Sequence, residues 1–272
     1  MTATASSLGT ALITGASSGI GAIYADRLAR RGHDLILVAR DRARLETLAA
    51  RLTAETGRRV DVVAADLGDA AQRAQVETRL REDAGITLLV NNAGIGTPAK
   101  LLESDVEQMT RLIELNVTAL TRLTYAAVPA FIARGRGAVI NISSIVGIAP
   151  EMLNGVYGGS KAFVMAFSQS LHHELAAQGL RVQAVLPGAT ATDFWAKGGL
   201  PVEQLPQEIV MSADAMVDAA LAGLDLGELV TIPSLPDAAD WEAYEAARRA
   251  LGPSLSLAAP AKRYTARQLA PV

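Results

Sequence analysis

Seven short runs rich in Val, Ile and Leu punctuate this chain, and longer segments of helical period separate them. That rhythm constrains the fold more than any other feature. The runs are 11–14 (ALIT), 34–39 (DLILVA), 60–65 (VDVVAA), 86–91 (ITLLVN), 137–143 (GAVINIS), 181–186 (RVQAVL) and 228–233 (ELVTIP). Each is nearly continuous rather than alternating, as expected of strands buried on both faces of a parallel sheet. The segments between them, such as 41–56 (DRARLETLAARLTAET), carry a helical repeat. Right-handed crossovers then give an α/β fold, a doubly wound parallel sheet with helices on both faces. No repeat or low-complexity linker breaks the chain, so 1–272 reads as one domain. It carries a long insert at about 190–212 and an aperiodic tail at about 253–272.

Composition narrows the function. A chain of 272 residues, half of them hydrophobic, can bury a large core. A net charge of −3 gives no electrostatic pull toward nucleic acid or a membrane surface. With no cysteine there is no disulfide, no thiolate ligand and no thiol nucleophile. His33, His172 and His173 do not have metal-ligand spacing, and no apolar run reaches the roughly 18 residues of a membrane span. The start, MTATASSLGT, lacks the basic and apolar parts of a signal peptide. The expectation is a cytoplasmic protein acting on a small molecule.

The first run leads into a glycine-rich turn, TGASSGIG (14–21), and then a helix. A pyrophosphate needs a tight turn, close backbone approach and free N–H groups at a helix start. Gly15, Gly19 and Gly21 permit all three, although the same stretch also reads as a turn with no ligand. The second run ends in Ala39 and Arg40, where an acidic residue would hold the adenosine ribose. A guanidinium there favours a 2′-phosphate, hence NADP(H) over NAD(H). Asp41 opposes that reading unless it caps the helix 41–56. Asp66, after the third run, is a candidate for the adenine amine, or else an N-cap or turn residue. The fourth run ends in NNAG (91–94), at a strand end where such sheets bind ligands.

Farther along, GVYGGSKAF (155–163) sets Tyr157 four residues before Lys161. Residues four apart share a helix face. An ammonium there would lower the phenol pKa from its free value of ~10. Such a phenol passes a proton to a carbonyl or takes one from an alcohol. Ser144 ends the fifth run and offers a hydroxyl to a substrate carbonyl. Asn116 interrupts an apolar helical pattern, either as a structural hydrogen bonder or as part of a water relay.

Together TGASSGIG, NNAG, Asn116, Ser144, YGGSK and the PG of 187–188 resemble the short-chain dehydrogenase/reductase family over residues 8–235. The resemblance implies a seven-stranded sheet in order 3-2-1-4-5-6-7 and a catalytic tetrad of Asn116, Ser144, Tyr157 and Lys161. Tyr157 would be the acid/base, Ser144 the carbonyl stabiliser, Lys161 the ribose ligand, and Asn116 the holder of a water. Gly15, Ser17, Ser18, Gly19, Ile20 and Gly21 would line the phosphate turn, with Ser17, Ser18 and Arg40 at the 2′-phosphate. Asp66, Leu67, Asn92, Ala93 and Gly94 would follow along the cofactor. Pro187, Gly188, Thr190 and Thr192 would line its nicotinamide end. A homo-oligomer, dimer or tetramer, is also implied. Gly159 stands where many members have alanine. His173 stands near the end of helix 155–179 where carrier-protein ketoacyl reductases tend to have arginine.

The activity expected is hydride transfer between NADP(H) and an apolar carbonyl or secondary alcohol. A 3-oxoacyl-thioester reductase is the alternative enzyme, and a nucleotide sensor without chemistry is the alternative of another kind. Met152, Leu153, Phe194, Trp195 and Met211 are the candidate walls of an apolar substrate pocket, or residues that pack a lid.

Overall fold

In a computed structural model, residues 8–265 are described. The N-terminal 1–7 and the last part of the tail, 266–272, lie outside the described residues. The chain divides into two units, Met1–Pro233 and Ser234–Val272.

In the first unit the strands are β1 (Thr10–Thr14), β2 (Asp34–Ala39), β3 (Val60–Ala64), β4 (Ile86–Asn91), β5 (Gly137–Ile142), β6 (Leu180–Val185), β7 (Thr190–Ala191), β8 (Met211–Ser212) and β9 (Val230–Thr231). The main sheet is parallel, in the order β3-β2-β1-β4-β5-β6-β9. This is the expected seven-stranded order, with β9 in seventh place because β7 and β8 pair with each other apart from it.

The continuous apolar runs are explained by the pleat. Successive side chains point to opposite faces. Ile13, Leu35 and Leu37 join one core with Tyr24, Leu28, Leu45 and Val217. Leu12, Ile36 and Val38 join the other with Leu80, Leu123, Phe131 and Leu171. Both faces are therefore covered by helices. α1 (Gly19–Arg30), α2 (Arg42–Thr56) and α8 (Ala213–Leu226) serve the first core. α3 (Ala70–Glu82), α5 (Leu120–Ala133) and α6 (Gly155–Leu175) serve the second. α4 (Val106–Ile113) runs into a π-helical turn, Glu114–Ala119, before α5 begins.

The 190–212 segment is closed at its base by the β7–β8 ladder, Thr190 opposite Met211. Within it lie the short α7 (Phe194–Gly198), ended by Gly199 at φ +97, and two tight turns that follow Pro201 and Pro206.

The second unit begins earlier than the aperiodic tail expected from residue 253. Its main element is α9 (Ala238–Ala250), capped by Asp237, with Trp241 stacked on Tyr244 at 5.2 Å. Glu245 is the one buried residue of α9, so this helix has no apolar core of its own.

Candidate active site

The glycine turn joins β1 to α1 at the carboxyl end of the sheet. Ser18 precedes α1 and makes no side-chain capping bond. The helix start thus keeps its N–H groups for another acceptor. Gly15 has φ +66, and a Cβ there would stand 2.7 Å from Asn92 Nδ2. A Cβ on Gly21 would overlap the Gly15 carbonyl oxygen. Gly19, at φ +53, would bring a Cβ to 3.1 Å from Thr192 Cγ2, so the turn and the start of the 190–212 segment face each other. The result is a bare-backbone cradle whose donors fit a dinucleotide pyrophosphate. Ser17 and Ser18 lie half-buried in the turn, while Ile20 packs back onto the core.

Beside the cradle, Asn92 donates to the Thr14 carbonyl at 2.8 Å, and the Thr14 hydroxyl accepts from the N–H groups of Asn92 and Ala93. Arg40 is exposed and makes no ion pair or hydrogen bond with the described residues. Asp41 accepts from Arg44 N at 3.0 Å and is the N-cap of α2, the structural one of its two sequence readings. Asp66 closes a turn onto Gly68 N at 2.9 Å, and Leu67 behind it is buried.

The tetrad residues converge from three elements. Ser144 follows β5 in extended conformation. Its hydroxyl donates to the Pro187 carbonyl at 3.3 Å, which holds the 187–188 turn against it. The N-cap of α6 is Asn154, whose side chain accepts from the Val156 and Tyr157 N–H groups and so fixes where Tyr157 emerges. Tyr157 and Lys161 are each 6% exposed. Lys161 Nζ donates to the Ile142 carbonyl at 2.9 Å and lies 5.8 Å from the centre of the Tyr157 ring. Gly94 lets the pieces close up: a Cβ there would stand 3.1 Å from Asn116 Oδ1 and 3.6 Å from Lys161 Nζ.

Asn116 sits in the π turn, an irregularity common at functional sites. Its carboxamide accepts from Ile95 N at 3.0 Å and donates to Ile95 O at 2.8 Å and Ser160 Oγ at 3.2 Å. It thus fastens the irregular segment that follows NNAG to α6.

The electrostatics correct one expectation. Burial pushes the Tyr157 phenol up to about 12, and a hydrogen bond with Ser144 pulls the other way without overcoming it. Lys161 is not among the causes of that shift. Its own ammonium is pushed down to about 8 by burial. The sequence argument counted the charge but not the loss of water around both groups, and here desolvation dominates.

A small cavity opens beside the tyrosine. It is bounded by residues 96–98 on one side, by Leu153 and Tyr157, and by Phe194, Trp195 and Gly198 of the 190–212 segment. Its free volume is about 10 Å³, room for about one water. Phe194 lies 5.9 Å from the Tyr157 ring, centre to centre, and Trp195 is pinned by its indole N–H to the Thr190 carbonyl at 3.0 Å. Of the five candidate pocket residues, Leu153, Phe194 and Trp195 line this cavity. Met152 lies outside it, 56% exposed. Met211 is part of the β7–β8 ladder and packs against the sheet core.

Sequence reasoning passed over Gly96, Thr97, Pro98 and Gly198, whose signal was an ordinary Gly/Pro loop. It also passed over Arg73, a charge in a polar helix. Arg73 is buried and bridges the Leu67 carbonyl at 2.9 Å to Glu114, the first residue of the π turn, at 2.7 Å.

Comparisons with known proteins place the chain in a family. The short chain dehydrogenase family matches residues 9–200, and the chain belongs to that family of oxidoreductases. A solved short-chain dehydrogenase from Sphingobium yanoikuyae, in complex with NADPH, is 53% identical. The match covers 94% of this chain and 99% of that one, with a TM-score of 0.91. A bulky-bulky ketone specific alcohol dehydrogenase from Comamonas testosteroni is 48% identical over 94% of this chain and 98% of its own, with a TM-score of 0.87. A very-long-chain 3-oxoacyl-CoA reductase from Anas platyrhynchos is 35% identical over 67% of this chain. The aligned part spans 60% of that relative's length. Among the described residues no helix is long and apolar enough to cross a membrane, and no group of three or more His, Cys, Asp or Glu could hold a metal ion.

Proposed function

We propose that this protein is an NADP(H)-dependent ketone reductase, running as a secondary-alcohol dehydrogenase in reverse, with Tyr157 as its acid/base. The observation that carries the reading is the buried Tyr157 phenol, on the α6 face that also carries Lys161, at the wall of a small, mostly apolar cavity. The bound NADPH of the Sphingobium relative and the ketone specificity of the Comamonas relative support it. When bound, the nicotinamide supplies or accepts the hydride.

The chain's own residues do the rest. Ser144 offers its hydroxyl to the ketone oxygen, and Tyr157 passes that oxygen a proton as charge develops on it. Lys161 holds the cofactor ribose and a positive charge near the phenol. Asn116, committed to Ile95 and Ser160, keeps one oxygen lone pair for a water. Apolar walls exclude bulk solvent. NADPH turnover against ketones, ketoesters and acyl thioesters tests the reading. Turnover of a 3-oxoacyl-CoA alone would favour the thioester reductase that the Anas similarity supports.

Arg40 sets the cofactor preference. Its side chain is exposed at the end of β2 without a partner among the described residues, and Asp41 is occupied as a helix cap. Ala39→Asp with Arg40→Leu is expected to move preference from NADPH toward NADH, read as the ratio of kcat/KM values. A wild-type enzyme that uses NADH as well as NADPH removes the argument.

The 190–212 segment acts as a lid. Gly198, Gly199, Pro201 and Pro206 leave it little regular structure, and Phe194 and Trp195 line the cavity at its root. Hydrogen exchange across this segment is expected to slow when NADP and a substrate analogue bind together. Equal exchange in free and ternary forms would count against a lid.

The oligomer is proposed as well. Tyr125, exposed on α5, stacks on Phe167, which stacks on Phe163 of α6, at 6.4 and 5.6 Å. An exposed aromatic row of this kind supports self-association.

A further inference from the structure

Residues 92–100 carry no regular secondary structure, yet 96–98 form one wall of the cavity beside Tyr157. The wall lies close against the phenol ring: a Cβ on Gly96 would stand 3.0 Å from Tyr157 Cε2. A segment without ladder or helix bonds needs other partners for its backbone groups if it is to keep such a position.

Two buried carboxamides supply them. At the near end Asn116 accepts from Ile95 N at 3.0 Å and donates to Ile95 O at 2.8 Å. At the far end Asn154 Nδ2 donates to the Ala99 carbonyl at 2.6 Å. Between them the Thr97 hydroxyl accepts from Ala99 N at 3.1 Å and shapes the bend. Both anchors lead to α6. Asn116 reaches it through Ser160 Oγ, and Asn154 is its N-cap. The wall is thus clamped at both ends to the helix that carries Tyr157 and Lys161.

The surroundings of Asn154 require a carboxamide. Its Oδ1 accepts from the Val156 and Tyr157 N–H groups at 2.9 and 3.3 Å, while its Nδ2 serves Ala99. The residue is 4% exposed, so solvent does not replace either partner. An N-cap alone is filled as well by aspartate or serine. An aspartate, however, would set a second acceptor against the Ala99 carbonyl, and a serine hydroxyl would end short of it. The helix cap explains the oxygen of this side chain. Only the wall explains its nitrogen.

We propose that Asn154 is a positioning residue for ketone reduction: its amide nitrogen ties the 96–98 wall to the start of α6 and so fixes the width of the cavity in which a ketone meets Tyr157. It acts through Ala99 and touches no reacting atom. The proposal rests on the ketone-reductase reading above and adds to it a residue outside the tetrad. Without the tether the wall shifts against the phenol ring, and a misplacement of about 1 Å can cost ~10²-fold in rate.

The test compares Asn154→Asp and Asn154→Ser with wild type in the full chain. Both variants keep a capping oxygen and lose the donor to Ala99. The probe is cyclohexyl phenyl ketone with NADPH. In both variants kcat/KM for the ketone is expected to fall about tenfold or more, as loss of alignment predicts. KM for NADPH should stay at the wild-type value, because the cradle lies on the β1–α1 turn. Amide hydrogen exchange should quicken over residues 95–100 and stay unchanged over α6. A purely capping role would move none of these in Asn154→Asp, since aspartate caps as well as asparagine. Wild-type kcat/KM in both variants overturns the tether and leaves ketone reduction standing. Exchange that quickens in α6 rather than in the wall overturns it too, by assigning the residue to the helix start. A wild-type enzyme that reduces no ketone overturns the reductase reading, and the exchange pattern then decides by itself whether Asn154 holds the wall.

Discussion

Tyr157→Phe is expected to lose about 10²-fold or more in turnover while still binding NADPH. General acid–base catalysis contributes ~10²–10⁴-fold, and the substitution removes only the oxygen that performs it. The ring packs with Leu112 and Val146 and against Phe194, so its apolar contacts survive and the variant should fold. The cofactor cradle lies on the β1–α1 turn, away from the phenol oxygen, so affinity for NADPH should change little. The pH dependence follows from the burial of the phenol. With its pKa pushed up to about 12, Tyr157 is protonated throughout the neutral range and stands ready to donate, as ketone reduction requires. Alcohol oxidation needs the phenolate, so its rate should climb as pH rises toward that value. The oxidised nicotinamide carries a positive charge, and a charge beside the phenol moves the climb to lower pH. In Tyr157→Phe the climb should be absent. A Tyr157→Phe enzyme with near wild-type turnover would place the proton chemistry on another group.

Much of the architecture is legible in the sequence because parallel strands covered on both faces need apolar residues at nearly every position. Leu35, Ile36, Leu37 and Val38 alternate between the two cores, and all four read as apolar. Three of the candidate site residues follow local rules: Tyr157 and Lys161 share one helix face, and Ser144 stands at a strand end. What escapes the sequence is set by contacts between distant segments. The π turn at Glu114–Ala119 leaves no mark except a polar residue in an apolar pattern, since its extra residue per turn is a matter of packing. Met211 reads as a pocket wall because it is an apolar residue of the insert before the last strand, but it pairs in β7–β8 and packs against the sheet core. Gly96 is the clearest case. As a letter it is one more loop glycine, and its meaning lies in two side chains from residues 157 and 194 that meet beside it. The phenol pKa belongs to the same class, because spacing reports the nearby charge and only the folded environment reports how much water has gone.

Lys161→Met is expected to cost turnover about 10²-fold or more and to change how stability depends on pH. The catalytic loss has two sources, since the ammonium is assigned both the cofactor ribose and the charge beside Tyr157. KM for NADPH should therefore rise while kcat falls, unlike Tyr157→Phe, which touches kcat alone. The stability effect has a definite sign. Burial lowers the Lys161 pKa from 10.5 to about 8. Below about pH 8 both the folded and unfolded chains carry the proton, and the folded state bears the full cost of a buried charge. Between about 8 and 10.5 the folded chain has released the proton and the unfolded chain still holds it. Stability then rises with pH, because the unfolded state binds more protons. Across that window the gain amounts to about 3 kcal/mol. Lys161→Met has no such group. Wild-type stability measured against the variant should therefore improve steadily from about pH 8 to about pH 10.5 and level off on either side. Loss of the bond to the Ile142 carbonyl shifts the whole comparison by a constant and leaves this slope unchanged. Denaturant titrations of both proteins at several pH values read the difference directly. Parallel curves through that window would mean that Lys161 keeps its ordinary pKa, and that the cation beside Tyr157 costs the fold nothing.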